Sequence, residues 1–308
     1  MSNPLPPGVA PTATPSPLPS NSTVPPTTTS NSPPSATTTP TGGANQPSTG
    51  SSVAGDFVWS TIGDQCGAEA GVKILGYAQS GYGKTVLMAT LPMPFITIST
   101  ENGLLSLSVK NLTKIFIGLG LDPESAQQRA VMVKQQRVMI VRNGIQLKKA
   151  FDWLSKPANM ATYAAVGWDG ASDTAEVMLN AAKSVKADGR QAYGEVADLI
   201  AMYFRKFRDE LPGKHVYITA KQGSLKDEVA GSIAYGPDFP GKQLGPQSPY
   251  WMDEVFRIGV ATDPNTSEPY RFLQTQPDEH YIAKDRSGLL DRWERPDLSA
   301  IIEKITGR

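Results

Sequence analysis

The sequence predicts an α/β fold in which a mostly parallel central sheet is flanked by helices. Across residues 56–308, short apolar runs alternate with longer amphipathic segments, as is typical when strands and helices take turns along a chain. The clearest amphipathic segment is 191–209, where large apolar side chains recur every three or four residues and share one helix face. The apolar run 72–75 passes through a glycine-rich turn into a helical pattern, which predicts a strand–loop–helix unit.

The other elements follow from the same apolar patterns and from Gly and Pro at their ends. The predicted strands are 72–75, 95–99, 138–142, 164–168, 215–219, 255–261, 270–275 and 281–283. The predicted helices are 84–91, which Pro92 ends, 123–136, which Pro123 begins, and 145–154, 191–209 and 298–305. Residues 223–249 are rich in Gly and Pro and are too long for an ordinary connection, so they predict a functional or mobile loop.

The N-terminal residues 1–55 differ from the rest of the chain in composition. They hold half of its 26 prolines and no Lys, Arg, Asp or Glu. Such a segment buries too little apolar surface to offset its ordering entropy, which predicts a disordered tail at 1–55 and one folded domain at 56–308. A tether that binds a protein partner and a solvated extension both match this composition. A glycosylated stalk matches it too, but the sequence begins without a signal peptide.

Charge and cysteine content exclude little but favour a reducing compartment. The chain has 29 basic and 29 acidic residues, so its net charge does not direct it to nucleic acid or membrane. Its single cysteine cannot form an internal disulfide and makes a structural zinc site improbable. No run approaches the roughly 18 apolar residues of a membrane span, so we expect a cytoplasmic protein without a membrane partner.

The strongest chemical signal is the sequence LGYAQSGYGKT at residues 75–85, between a predicted strand and a predicted helix. In this context, glycine-rich loops turn their backbone N–H groups toward phosphate oxygens, Lys84 reaches the β- and γ-phosphates, and Thr85 places its hydroxyl on Mg²⁺. The predicted ATP cradle comprises Gln79, Ser80, Gly81, Tyr82, Gly83, Lys84 and Thr85. A chance glycine-rich turn is the alternative. Ala78 replaces a glycine of the consensus and would be strained if its φ were positive.

Two acidic residues end predicted strands and are candidates to complete this site. Asp169 follows the strand 164–168 and is expected to hold Mg²⁺ together with Thr85. Glu101 follows the strand 95–99 and is expected to activate the attacking water as a general base. A helix cap or turn role for Asp169, and a solvated turn role for Glu101, remain open. Asp173 is a weaker candidate that could cap the following helix.

Polar residues after two later strands are also candidates. Gln222 lies at the start of the Gly/Pro-rich stretch and could sense the γ-phosphate, or could be an ordinary polar residue at a strand end. Lys284 and Arg286 are two residues apart, so on a strand they point the same way. They could enter the nucleotide site of a neighbouring subunit as catalytic cations, or form a charged surface turn.

Single-stranded DNA is held by cationic grooves and aromatic platforms. Lys226, Lys242 and Tyr235 supply such groups within 223–249, although acidic residues accompany them, and Lys183 to Arg190 form a second basic segment. Two solvated loops are the alternative interpretation of these segments.

Several motifs together resemble one family. They are VKILGYAQSGYGKT at 72–85, LPMP at 91–94, STENGLLSL at 99–107, RQAYG at 190–194, FRD at 207–209, KHVYITAKQ at 214–222, PGK at 240–242, SPY at 248–250 and AKDRSG at 283–288. Across about 72–306 the chain looks like the phage-encoded RecA-like P-loop ATPases, which include Sak-type single-strand annealing proteins.

That resemblance implies a RecA-like ATPase core that forms ring or filament homo-oligomers and acts on single-stranded DNA in a bacterial host's cytoplasm. It matches Lys84 and Thr85 to the Walker A pair, Asp169 to the Walker B acid and Glu101 to the glutamate after the second strand. It matches Gln222 to the amide that begins the second DNA-binding loop. It also matches Lys284 and Arg286 to a finger that acts on the adjacent subunit.

Three hypotheses follow for the function. The first is an ATP-hydrolysing recombination or annealing protein. The second is a nucleotide-dependent assembly or binding module with little or no hydrolysis, because Ala78, Gly170 and the pair Gly167–Trp168 depart from the family pattern. The third is a small-molecule kinase, for which no second substrate pocket or lid signature stands out.

Overall fold

The computed structural model describes residues 71–100, 104–185, 189–226 and 233–307, all of them within one compact unit. Its strands are β1 Lys73–Ala78, β2 Phe95–Ser99, β3 Arg137–Ile140, β4 Ala165–Asp169, β5 His215–Lys226, β6 Ile233–Asp238, β7 Glu254–Thr262, β8 Pro269–Gln274, β9 Lys284–Asp285 and β10 Trp293–Glu294. Its helices are α1 Lys84–Met88, α2 Val109–Gly118, α3 Pro123–Lys134, α4 Gly144–Leu154, α5 Pro157–Met160, α6 Ala171–Val185, α7 Gly189–Asp209, α8 Leu244–Trp251 and α9 Leu298–Thr306, with a 3₁₀ turn at Leu104–Leu107.

The strands form one sheet in the order β10-β8-β7-β1-β5-β4-β2-β3. From β7 to β3 every neighbouring pair is parallel, whereas β8 and β10 are antiparallel, and β6 pairs antiparallel with β5. This arrangement confirms the predicted α/β fold with a mostly parallel sheet flanked by helices. Because β5 lies between β1 and β4, the carboxyl ends of these three strands are adjacent, and ligands of open α/β sheets bind at that edge.

The two sides of the sheet carry separate apolar clusters. In β1, Leu75 and Tyr77 join the cluster that α4, α6 and α7 cover, whereas Ile74 joins the cluster of α1, α2, α3 and α9. Alternation along a strand places these side chains on opposite faces. All six residues of β1 are buried, so β1 is a rigid central support for the loop that follows it.

Packing against β4 explains why a glycine and a tryptophan occur next to each other before Asp169. A Cβ at Gly167 would lie 2.6 Å from the Met88 sulfur, so glycine lets α1 approach β4 closely. On the other face, the buried Trp168 ring stacks on Phe207, with centroids 5.3 Å apart, and its indole N–H donates to the Thr174 hydroxyl at 3.1 Å. Packing on the two faces of β4 therefore explains why Gly167 and Trp168 depart from the family pattern.

The stretch 223–249 is not the long loop that its composition predicted. β5 continues to Lys226, residues 221–226 pair with 233–238 of β6, and α8 follows. Gly223 is needed inside this hairpin, because a Cβ there would lie 2.6 Å from the Asp238 carboxyl carbon. Gly223 thus allows close packing between two strands. The prediction of a long loop was wrong because composition alone does not distinguish a glycine that packs between strands from a glycine that forms a turn.

Smaller differences occur elsewhere. The predicted strand 281–283 was wrong, since the paired segment is β9, and Tyr281 makes only an isolated bridge to Tyr235. Helices α2, α5 and α8 and strands β6 and β10 were not predicted, and no range was predicted for α6. The N-caps Asp122 and Asn143, whose side chains accept backbone N–H groups, begin the predicted helices α3 and α4. None of the described helices is long and apolar enough to cross a membrane.

Candidate nucleotide-binding site

The loop between β1 and α1 has the backbone geometry that the motif predicted. Gly81 has a φ of 81° and Gly83 a φ of 101°, both in the left-handed region that glycine adopts at little cost. α1 begins directly after Gly83, and the Leu87 N–H donates to the Gly83 carbonyl at 2.8 Å. The loop therefore curls into a concave nest instead of running on as an extended strand.

Ala78 is compatible with this loop. It is the last residue of β1, it does not have a positive φ, and it is buried. The conformational strain considered for an alanine at this position is therefore absent at Ala78 itself.

A cavity of about 570 Å³ opens over the loop, within the usual size range of ligand sites. It is lined by Gln79, Ser80, Gly81, Gly83, Lys84 and Thr85 of the predicted cradle, together with Asp169, Asp173, Thr219, Lys221, Gln222, Ser106, Asn111 and Arg271. Tyr82 is the cradle residue that does not line it, since its side chain packs against the core on the α1 side of the sheet.

Thr85 and Asp169 meet across the base of the cavity. The Thr85 hydroxyl donates to one carboxylate oxygen of Asp169 at 2.7 Å, and the Thr219 hydroxyl donates to the other at 2.9 Å. Burial raises the pKa of Asp169, while these two hydrogen bonds and the Lys84 charge act in the opposite direction. A hydroxyl beside a carboxylate is the kind of oxygen donor set that Mg²⁺ takes in phosphate sites, so these residues fit the metal.

Two lysines bring positive charge to the cavity. The Lys84 ammonium donates to the carbonyls of Ala78 and Gln79 at 3.0 and 3.2 Å, so it lies over the loop. The Lys221 ammonium lies 2.7 Å from carboxylate oxygens of both Asp173 and Glu176. The Lys84 ammonium thus lies at the loop, and Lys221 is held at the rim of the cavity by α6.

The Gly170 backbone explains a further departure from the family pattern. Its φ is 90°, and its N–H donates to the Thr219 hydroxyl at 2.8 Å. A side chain in this conformation is strained, and a Cβ would lie 3.2 Å from an Asp173 oxygen. Glycine therefore fits this turn better than a residue with a side chain.

The remaining predicted site residues are placed differently. Gln222 lines the cavity from the middle of β5, opposite Pro237 of β6. Glu101 lies outside the residues that the structure describes, so its role as general base stays a prediction. Lys284 and Arg286 contact residues 249–253 of their own chain: the Lys284 ammonium donates to the Pro249 and Met252 carbonyls at 3.1 and 2.6 Å, and Arg286 pairs with Asp253 at 2.9 Å.

Thr219 and Arg271 line the cavity but were not predicted as site residues. Thr219 is the last residue of the predicted strand 215–219, and only the order of the strands reveals that it faces Asp169. Arg271 lies on β8, and its Nε donates to the Tyr82 carbonyl at 3.0 Å. No local pattern marks Arg271, because 186 positions separate it from Thr85 and its approach to the loop depends on the antiparallel extension of the sheet.

The two predicted DNA-binding segments meet at Tyr193 of α7. The Lys183 ammonium donates to the Tyr193 hydroxyl at 3.0 Å and lies 4.4 Å from its ring centroid. A Cβ at Gly241, next to the exposed Lys242, would lie 3.5 Å from the same ring. Tyr235 instead packs against Tyr281, with ring centroids 5.5 Å apart, and the Lys226 side chain is outside the described part of the chain.

Comparison with known proteins gives a family and two weak structural likenesses. The family model described as an AAA domain matches residues 70–287. A KaiC-like protein from the hyperthermophilic archaeon Pyrococcus horikoshii OT3 is 11% identical, with a TM-score of 0.34, over 66% of this chain and 77% of that one. The RadB recombinase is 16% identical, with a TM-score of 0.38, over 70% of this chain and 91% of that one. No curated protein matches the sequence.

Proposed function

Because the chain belongs to the AAA domain family, we propose that it binds ATP with Mg²⁺ at the loop of residues 79–85 and hydrolyses it. The observation that carries this proposal is the hydrogen bond between Thr85 and Asp169 at the base of a cavity that the loop itself lines. Glycine-rich turns are common, but a lysine, a hydroxyl and a strand-end carboxylate converging on one such turn are specific to phosphate and magnesium binding.

In this proposal each residue of the site has one task. The N–H groups of the loop and the Lys84 ammonium hold the phosphate chain and neutralise part of its charge. Thr85 and Asp169 hold Mg²⁺, which supplies further positive charge to the phosphates when it is bound. Thr219 keeps the Asp169 carboxylate in position. Glu101 takes a proton from the attacking water, and Gln222 contacts the γ-phosphate.

We further propose that the chain acts as a RecA-like homo-oligomer on single-stranded DNA, in phage-type recombination or strand annealing. The exposed Tyr193, with Lys183 donating to its hydroxyl and Lys242 nearby, supports this proposal, since exposed aromatic rings stack bases while neighbouring cations contact the phosphate backbone. Strand pairing supports a link between the nucleotide and this surface. Gln222, which lines the cavity, lies opposite Pro237 of β6, and the chain continues from β6 to Gly241 beside Tyr193. The predicted tail at 1–55 lies outside the residues that the structure describes, so its binding of a protein partner stays a prediction.

Lys284 and Arg286 were predicted to act on the nucleotide of a neighbouring subunit, and of the two we propose Arg286 as the direct contact. Arg286 is about half exposed, and its pair with Asp253 is a surface salt bridge of the kind that contributes at most about 1 kcal/mol, so exchanging it for a phosphate is inexpensive. Lys284 is held by two carbonyls, which supports a role in positioning β9 more than direct contact.

Nucleotide binding by the Lys84→Ala variant tests the site. We expect binding of a fluorescent ATP analogue to be lost in Lys84→Ala and to remain in Lys148→Ala, where an exposed lysine of α4 is removed outside the site. Undiminished affinity in Lys84→Ala would refute the assignment. Both variants should retain the circular dichroism spectrum of the wild-type protein.

The second candidate is a nucleotide-dependent assembly or binding module with little hydrolysis. This candidate is favoured by the two backbone carbonyls that hold the Lys284 ammonium. Because Lys284 is held within its own chain, Arg286 alone remains to contact the nucleotide of a neighbouring subunit and to promote hydrolysis. Turnover separates the candidates: strong stimulation of phosphate release by single-stranded DNA supports the first, and nucleotide-dependent oligomerisation without phosphate release supports the second.

A further inference from the structure

Lys221 is a cation of the phosphate cavity that has no task in the mechanism proposed above. It lies on β5 directly opposite Ala78, the last residue of β1, and it lines the cavity over the loop. Alternation along β5 places its side chain on the same side as Thr219, whose hydroxyl holds the Asp169 carboxylate. The phosphate site therefore has a lysine of its own chain in addition to Lys84.

Two carboxylates of α6 hold the Lys221 ammonium at the rim of the cavity. It lies 2.7 Å from an oxygen of Asp173 and 2.7 Å from an oxygen of Glu176. Burial acts to lower the pKa of Lys221, but the hydrogen bonds to these carboxylates outweigh it and the pKa is raised, so the side chain is charged at neutral pH. Because the Lys221 side chain is 39% exposed and that of Glu176 is 49% exposed, such ion pairs contribute little and exchange readily for a stronger anion.

The main chain at Lys221 is fixed, whereas its side chain is only tethered. The Lys221 N–H donates to the Ser172 hydroxyl at 2.9 Å, and that hydroxyl donates to the Asp238 carbonyl at 2.5 Å. A lysine side chain is long and flexible, so its ammonium can change partners while its Cα stays in place. A phosphate chain bound over the loop is a competing partner for this ammonium in the same cavity.

Other cations that were considered for this site are held differently. The Arg271 Nε donates to the Tyr82 carbonyl, and the Lys284 ammonium donates to two backbone carbonyls. Arg286 is proposed to act on the nucleotide of a neighbouring subunit, so it contributes only within an oligomer. Lys221 differs from all three, because it lines the cavity of its own chain and its partners are carboxylates that a phosphate can replace.

We infer that Lys221 is a catalytic residue that stabilises the transition state of ATP hydrolysis from within the chain that binds the ATP. This inference rests on the proposed function. In hydrolysis a bond forms between a water oxygen and the γ-phosphorus, and the bond from that phosphorus to the bridging oxygen breaks and leaves its electron pair on ADP. One water proton passes to the proposed base Glu101, so the products are ADP, inorganic phosphate and one proton.

The Lys221 ammonium contributes to this step by changing partners. It leaves Asp173 and Glu176 and contacts the γ-phosphate oxygens, where it neutralises charge on the transferring group. This contact does not need a second subunit.

Binding of a transition-state analogue tests Lys221 without turnover. ADP with aluminium fluoride and Mg²⁺ mimics the transferring phosphoryl group, so aluminium fluoride should strengthen ADP binding to the wild-type protein by at least about a hundredfold. In Lys221→Met this gain should fall to about tenfold or less while the affinity for ADP alone is unchanged, and Lys221→Arg should keep most of the gain. Lys148→Met is the matched control, because Lys148 is also an exposed lysine paired with an acidic residue, but on α4.

Steady-state hydrolysis gives a second readout. Lys221→Met should lower kcat by at least about a hundredfold and leave the KM for ATP within about threefold, because the contact strengthens as charge develops in the transition state. An unchanged kcat, or an effect on KM alone, would overturn the inference.

Mixing of variants decides whether Lys221 acts within its own chain. Lys84→Ala does not bind nucleotide in the proposed site but keeps Lys221 and Arg286. It should therefore restore turnover to Arg286→Ala, whose missing cation comes from a neighbouring subunit, and should not restore turnover to Lys221→Met. Restored turnover of Lys221→Met would overturn the role within one chain. If neither mixture regains turnover, the proposed Arg286 contact fails, and the analogue affinities decide on Lys221.

The analogue experiment also separates this inference from the proposed function. A wild-type protein that binds ATP and ADP but gains nothing from aluminium fluoride would overturn the role of Lys221 and leave nucleotide binding standing. Failure of the wild-type protein to bind either nucleotide would overturn the proposed function and this inference together.

Discussion

The Thr85 hydroxyl and the Asp169 carboxylate are joined by a hydrogen bond of 2.7 Å, although 84 positions separate them in the sequence. Thr85 lies in the first turn of α1, and Asp169 is the last residue of β4. The contact exists because α1 packs tightly on β4 at Gly167, which brings the start of the helix to the end of the strand.

Thr219→Val should weaken Mg²⁺-dependent nucleotide binding, because Thr219 acts on the site through the Asp169 carboxylate. The variant keeps the shape of the buried side chain but removes the hydroxyl that donates to Asp169 and accepts from the Gly170 N–H. A buried N–H left without a partner costs about 1–3 kcal/mol, and the carboxylate loses one of its two hydroxyl donors while it keeps the bond from Thr85. Titration of Mg²⁺ at fixed nucleotide should show weaker metal binding, while unchanged Mg²⁺ affinity would contradict the positioning role of Thr219.

Mg²⁺ binding should weaken as pH falls, and the weakening should begin at a higher pH than for an ordinary aspartate. Burial raises the pKa of Asp169, and only the ionised carboxylate holds the metal. The stability of the metal-free protein should respond in the opposite way. Because the pKa of Asp169 is raised by folding, its contribution to the free energy of unfolding is complete at low pH and is lost as pH rises through the folded pKa. Mg²⁺ titrations between about pH 5 and 8 should show this dependence, and Asp169→Asn should abolish it.

Gly170→Ala and Gly194→Ala should change stability in opposite directions. Gly170 has a φ of 90°, so a side chain there costs about 1–2 kcal/mol. Gly194 lies inside α7 and a Cβ there meets nothing within 4 Å, so alanine should stabilise the helix by about 0.5–1 kcal/mol. Urea unfolding measures both changes, and equal stability of the two variants would contradict the assigned backbone conformations.

Tyr193→Leu and Lys183→Ala should each weaken binding to single-stranded DNA, for different reasons. The first variant removes a stacking surface that contributes about 1–3 kcal/mol per base, and its effect should persist at all salt concentrations. The second removes a cation, so it should lower the slope of log affinity against log salt by about 0.7 for one phosphate contact. Fluorescence anisotropy with an oligonucleotide gives both quantities, with Lys148→Ala as the control on α4. Affinity that does not change with salt would contradict phosphate contact altogether.

Much of the fold could be predicted because its strands and helices have local signatures. Strand 95–99 and the start of the helix at Pro123 follow from an apolar run and from a proline after a capping aspartate. The stretch 223–249 could not be predicted in this way, because Gly223 serves close contact with Asp238 in β6, and that contact is not visible from composition. The contacts of Lys284 could not be predicted either. A charged side chain is expected to be exposed, and the carbonyl of Met252 that holds the Lys284 ammonium is known only from the structure.

The sequence by itself determined the phosphate loop, because its glycines, its lysine and its threonine are consecutive and their chemistry depends on neighbours along the chain. Asp169 could also be predicted, because it ends an apolar strand, but only the tertiary structure decided that Thr219 and Arg271 join the site. Thr219 meets Asp169 because β5 lies between β1 and β4, and Arg271 reaches the loop because β8 extends the sheet beside β7. The physical reason is that strand order sets which chain segments are adjacent at the edge of a sheet, and strand order depends on packing across the whole molecule.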